Sequence, residues 1–127
     1  MPKTVLIAED RPDSRQLLED ILEQFRPHVR VLVAGDGREA LALARTEKPD
    51  MAFLDVMMPG LDGVEVCRAI KADPALAGMH VILVTALSQL ADFEKDADAG
   101  ADDCISKPYD VALIMERVAA VLGVAAA

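Results

Sequence analysis

The chain has 127 residues, enough for one domain, and it is 53% hydrophobic but only 3% aromatic, so its core is built from Val, Leu, Ile, Ala and Met. A net charge of −9 argues against a nucleic acid as direct ligand, because a phosphate backbone is held by clustered Lys and Arg. Cys67 and Cys104 lie far apart without a CxxC or Cys/His pattern, which disfavours a disulfide framework or a zinc site. No signal-like leader and no apolar run of about 18 residues is present, so the reading is a cytoplasmic protein with buried free thiols.

Residues 4–8 (Thr-Val-Leu-Ile-Ala) form the first buried-strand candidate and run into Glu9-Asp10. Pro12 suits the first turn of a helix with Leu17, Leu18, Ile21, Leu22 and Phe25 in one stripe, closed by Pro27. Residues 29–34 are a second strand, followed by a Gly35-Asp36-Gly37 turn. Asp36 and Glu39 make a capping-box-like start to a helix carrying Ala40, Leu41, Leu43 and Ala44, which stops near Lys48-Pro49. The third strand, Met51-Ala-Phe-Leu-Asp55, sets four apolar residues before a single carboxylate, and a Pro59-Gly60 turn follows.

Asp62 and Glu65 repeat the capping pattern for a third helix, with Val66, Cys67 and Ile70 inward and Asp73-Pro74 as its end. Residues 81–84 are a fourth buried strand, ending in Thr85. Residues 88–99 read as a helix, acidic and thinly apolar, stopped by Gly100. A short strand over 103–106 leads into Lys107-Pro108, and the last helix carries Leu113, Ile114, Val118, Val121 and Leu122. Five strand–helix alternations without a linker or repeat predict one α/β domain over 1–127, a parallel sheet with helices on both faces.

The carboxyl ends of these strands carry Glu9-Asp10, Asp55, Thr85 and Lys107, and open α/β sheets keep their ligand sites at that edge. Converging carboxylates repel unless a cation sits among them, and oxygen-only ligands favour a hard one such as Mg²⁺. A lysine and a hydroxyl nearby suit phosphoryl oxygens, so the set reads as a site for phosphoryl transfer onto a carboxylate. Each residue also has a plain structural reading. Asp55 can cap its loop, Glu9-Asp10 can cap the helix behind Pro12, Thr85 can be a strand-end threonine, and Lys107 a solvated lysine before a turn.

Four segments in order, Val5-Leu-Ile-Ala-Glu-Asp10, Leu54-Asp-Val-Met-Met-Pro-Gly-Leu-Asp-Gly63, Val84-Thr-Ala86 and Ser106-Lys-Pro108, resemble the receiver domain of bacterial two-component response regulators. The wording around residues 62–74 is most similar to stand-alone cell-cycle receivers and to receivers joined to diguanylate cyclases. The resemblance implies a CheY-like, flavodoxin-like (βα)5 three-layer sandwich of strand order 2-1-3-4-5, with a crevice between strands one and three. It implies that Asp55 accepts a phosphoryl group from a sensor histidine kinase or a histidine phosphotransfer protein. Glu9, Asp10, Asp55 and the Met57 backbone carbonyl would hold Mg²⁺, Thr85 would be the switch hydroxyl, and Lys107 would pair with the phosphoryl oxygens before a cis Pro108. It also implies a downstream effector protein or domain; whether phosphorylation brings about a homodimer, through the 88–99 segment and the last helix, is left open by the sequence.

One position departs from the family. Three residues before the lysine an aromatic ring usually swings inward on phosphorylation; here Cys104 stands there, so signalling is expected to run through Thr85 and residues 88–99, with another residue filling the space. Cys104 as a redox-sensitive thiol is the second reading of that position. Met57 and Leu87, each two beyond a site residue, are apolar, which predicts slow self-dephosphorylation. A dehalogenase-type phosphatase would need an acid at Met57, and flavin binding would need a Ser/Thr/Gly-rich loop after the first strand. A receiver that binds partners constitutively is the remaining alternative.

Overall fold

A computed structural model describes residues 2–86 and 99–126 of the chain. The expected helix over 88–99 and the apolar Leu87 lie outside the described residues, save Ala99, which is buried.

The described elements are β1 (Lys3–Ala8), α1 (Pro12–Glu23), β2 (Val29–Ala34), α2 (Gly37–Glu47), β3 (Met51–Asp55), α3 (Gly63–Ala72), β4 (His80–Ala86), β5 (Asp103–Lys107) and α4 (Val111–Leu122). The strands form one parallel sheet of order β2-β1-β3-β4-β5, so the expected topology holds.

The unbroken apolar runs follow from burial on both faces. Successive side chains of a strand point to opposite sides, so Leu6, Ala52, Leu54, Val81 and Leu83 pack with Ala40, Leu41, Ala44, Val66, Cys67 and Ile70 of α2 and α3. The alternate residues Val5, Ile7, Phe53, Ile82 and Val84 pack with Leu18, Ile21, Leu22, Ile114 and Val118 of α1 and α4. Burying each such aliphatic side chain contributes about 1.5–3 kcal/mol against chain entropy.

The helix starts differ from one another in how they are capped. Asp62 and Glu65 close a full capping box, at 2.8 and 3.2 Å. At α2 it is the Asp36 side chain that caps, accepting the Glu39 N–H at 2.8 Å. Asp110 caps α4 by accepting the Leu113 N–H at 3.1 Å. Helix α1 starts at Pro12 with no side-chain cap, so neither Glu9 nor Asp10 serves it that way.

Two local expectations are corrected. Helix α1 ends at Glu23 rather than at Pro27, and Phe25 is buried from the turn that follows. Leu17 is not part of the inward stripe: it is 40% exposed, one position too far round a helix of 3.6 residues per turn.

Candidate functional site

Register places the site. Parallel pairing sets Ala8 beside Leu54, Asp55 beside Val84, Thr85 beside Ser106 and Ala86 beside Lys107. The carboxyl ends of β1, β3, β4 and β5 are therefore level, and a cleft of about 680 Å³ opens above them, lined by Asp10, Asp55, Met57, Ala86 and Lys107 among others.

Asp55 is 4% exposed and held from two sides. Its Oδ1 accepts the Met57 N–H at 2.9 Å, and its Oδ2 accepts from Lys107 Nζ at 2.8 Å. Gly63 lets α3 start close against the end of β3, since a Cβ there would stand 2.4 Å from the Asp55 carbonyl oxygen. The turn itself uses Gly60 at φ +75°, a left-handed conformation that glycine adopts without strain.

Lys107 Nζ also lies 2.9 Å from Glu9 Oε2, so one ammonium bridges two buried carboxylates, one following β1 and one ending β3. Burial would lower the Lys107 pKa, but Asp55 and Glu9 together raise it above its ordinary value. Glu9 Oε1 accepts the Arg11 N–H at 3.1 Å, and the Tyr109 hydroxyl sits 3.5 Å from Oε2. Burial, and after it the Asp55 carboxyl, push Glu9 up to about 7 against the pull of Lys107. Asp10 is exposed, and one oxygen each of Glu9, Asp10 and Asp55 lie within 4.8 Å of one another. Thr85 is 1% exposed, and its hydroxyl has no hydrogen-bond partner among the described residues. A buried hydroxyl left unpaired costs about 1–3 kcal/mol, which points to a partner that arrives with a ligand.

The family model for the response regulator receiver domain matches residues 5–119. The chain belongs to that family. This receiver is 39% identical over 118 residues to the response regulator PleD of Caulobacter vibrioides, a match that takes in 93% of the chain and 26% of the relative. It spans about half the length of other curated relatives that it matches.

Among solved structures it is similar to the receiver domain of a signal transduction histidine kinase from Syntrophus aciditrophicus, at 35% identity and a TM-score of 0.86. That likeness covers 95% of this chain and 90% of the other. It is also similar to the receiver domain of a sensor histidine kinase of Pseudomonas aeruginosa PAO1, described with a magnesium ion coordinated in the active-site cleft. There the identity is 27% and the TM-score 0.85, over 97% of this chain and 99% of the other.

Glu9, Asp10, Asp55, Met57, Thr85 and Lys107 lie at one edge of the sheet, and the Lys107-Pro108 bond is cis as expected. Cys104 lies apart from them. It packs against the α2–α3 face of the core and is half-buried, not the fully buried thiol that the sequence implied. Cys67 is fully buried, and that burial pushes its thiol up to about 11. Tyr109 packs on the opposite, α1–α4 face, so it does not take the room of the missing aromatic.

Sequence reasoning missed Tyr109 and Arg11 at the site. The only signals available were that Tyr109 is the chain's single tyrosine, two residues from Lys107, and that Arg11 directly follows the acidic pair. It also missed the Lys71–Asp102 pair at 2.8 Å, which ties the end of α3 to the stretch before β5. The described residues contain no helix long and apolar enough to cross a membrane.

Proposed function

We propose that residues 1–127 act as one cytoplasmic, phosphorylation-controlled switch. Asp55 takes a phosphoryl group from a sensor histidine kinase or a histidine phosphotransfer protein, and the phosphorylated form changes its binding to a downstream effector protein or domain. One observation carries this reading: Asp55 is a buried carboxylate oriented by Met57 N–H and Lys107 at the floor of an open cleft, beside an unpartnered Thr85 hydroxyl.

In the transfer, an Asp55 oxygen attacks phosphorus while the P–N bond of the phosphohistidine breaks and the imidazole keeps the electron pair. The product is an acyl phosphate on Asp55. Lys107 already touches Asp55 Oδ2 and needs only to release Glu9 to meet a phosphoryl oxygen. Thr85 gains in the phosphorylated state the hydrogen bond that its hydroxyl lacks, which biases the two-state equilibrium of the switch.

The donor set fits a hard cation, because the three clustered ligands are all carboxylate oxygens. Mg²⁺ held by Glu9, Asp10, Asp55 and the Met57 carbonyl would neutralise charge on the phosphoryl oxygens. The Met57 side chain is 63% exposed at the cleft and offers no polar group to an attacking water, so self-dephosphorylation is slow. Cys104 replaces the usual aromatic, which leaves Thr85 to report the switch.

The test is intact mass after incubation with Mg²⁺ and acetyl phosphate, beside an Asp55→Asn control. A single phosphoryl adduct in the wild type alone establishes the acceptor. An adduct on both would place the chemistry elsewhere, and a phosphoryl lifetime of seconds would overturn the slow-decay reading.

A further inference from the structure

The cleft over Asp55 is lined by four carboxylates, Asp10, Asp55, Asp62 and Glu65, and by two cations, Arg11 and Lys107. Even with a Mg²⁺ bound, four carboxylates against two cations and the ion leave this lining without net positive charge to draw in the anions that the site must admit, and a cleft focuses whatever charge its walls carry. Lys107 is already committed to Glu9 and Asp55. Of the other arginines near this end, Arg15 reaches the Glu9 carbonyl at 3.5 Å and Arg38 lies beside Gly60, and neither lines the cleft. Among the described residues, Arg11 is therefore the lining cation that is free to turn inward.

Its present tie is slight. The guanidinium lies 3.5 Å from Asp13 Oδ2, with the two side chains 68% and 74% exposed. An exposed pair of this kind is worth little. The backbone of Arg11 is fixed nonetheless, since its N–H bonds to Glu9 Oε1. A long, mobile guanidinium on an anchored backbone stands at the rim of an acidic cleft and presents a fork of donors that matches phosphate oxygens.

We propose that Arg11 selects the phosphodonor: it draws a dianionic phosphoryl compound past the acidic rim and holds its outer oxygens while Asp55 attacks. The inference rests on Asp55 being the phosphoacceptor. With acetyl phosphate, the new bond joins an Asp55 oxygen to phosphorus and the breaking P–O bond leaves its electron pair on acetate. With phosphoramidate, the P–N bond of the N-protonated donor breaks and ammonia departs with that proton. The first donor is a dianion near neutral pH and the second a monoanion, so Arg11 favours the first.

The experiment measures phosphorylation rates of the whole chain by intact mass, with each donor in Mg²⁺ over a range of salt. Arg11→Ala is expected to slow acetyl phosphate about tenfold and to flatten its salt dependence, with a much smaller effect on phosphoramidate. Arg11→Lys should recover part of the rate. Asp13→Asn, which frees the guanidinium, should raise it. Mg²⁺ affinity and melting temperature should stay at wild-type values in all three, which separates donor selection from a structural effect.

An equal loss for both donors, no loss for either, or a fall in Mg²⁺ affinity to match would overturn the role of Arg11. A wild type that accepts a phosphoryl group from neither donor would overturn the acceptor reading first, and this inference with it.

Discussion

Gly63→Ala tests the packing that holds Asp55 in place. A methyl group on Gly63 would stand 2.4 Å from the Asp55 carbonyl oxygen, 2.8 Å from its carbon and 3.1 Å from Val56 Cα. All three are backbone atoms, so no rotamer change relieves the clash, and the start of α3 must move by roughly half an ångström. Such overpacking costs about 1–3 kcal/mol. Replacing glycine also restricts the unfolded chain, which returns about 0.4–1 kcal/mol. The net loss is therefore about 0–2.6 kcal/mol, centred near 1.3, or a melting temperature lower by about 5 °C for a domain of this size.

The assay is thermal unfolding followed by helical circular dichroism, with Gly78→Ala as the control because a methyl there meets nothing within 4 Å. The strain falls on Asp55 and Val56 themselves, so the rate of phosphoryl uptake at a temperature where the variant is folded should drop as well. A Gly63→Ala protein that melts at or above the wild type would refute the reasoning.

Three further outcomes follow from named groups. Thr85→Val removes a buried hydroxyl without a partner at nearly constant volume, so chemical denaturation should show unchanged or slightly higher stability while partner switching on phosphorylation is lost; a loss above about 1 kcal/mol would contradict this. Burial would raise the Asp102 carboxyl, but the Lys71 ammonium and the Val81 N–H hold it below the ordinary carboxylate range. A depressed folded pKa stabilises above the unfolded value near 4 and loses that stability as pH falls through the folded one. Asp102→Asn should therefore be less stable at pH 7, by no more than about 1 kcal/mol for a partly exposed pair, and the gap should close on acidification. In a Cys104→Ser background, the Cys67 thiol, buried and pushed up to about 11, should resist a disulfide reagent at pH 8 until the chain unfolds.

Much of this protein is legible in its sequence because the signals are local. Buried strands announce themselves as unbroken apolar runs, and Asp62 with Glu65 announces a helix start, since the bonds involved span three residues. Four of the five strands also carry a candidate site residue at their own end, so Asp55, Thr85 and Lys107 could be placed at one edge from the alternation of elements alone. Local pattern reaches no further. It set Leu17 in the core and ran α1 to Pro27, because a stripe of apolar residues does not say where the neighbouring helix stops covering it.

What only the tertiary structure decided is which side chain meets which. Strand order brings β1 and β5 to the two sides of β3 and β4, and only then do Glu9 and Asp55 fall on the same lysine, with Tyr109 beside Glu9 and Arg11 at the rim. The direction of a pKa shift and the orphan state of the Thr85 hydroxyl depend on burial and on charges far away in the chain. Neither is a property of any short stretch of sequence, because both are set by the low-dielectric surroundings that folding assembles.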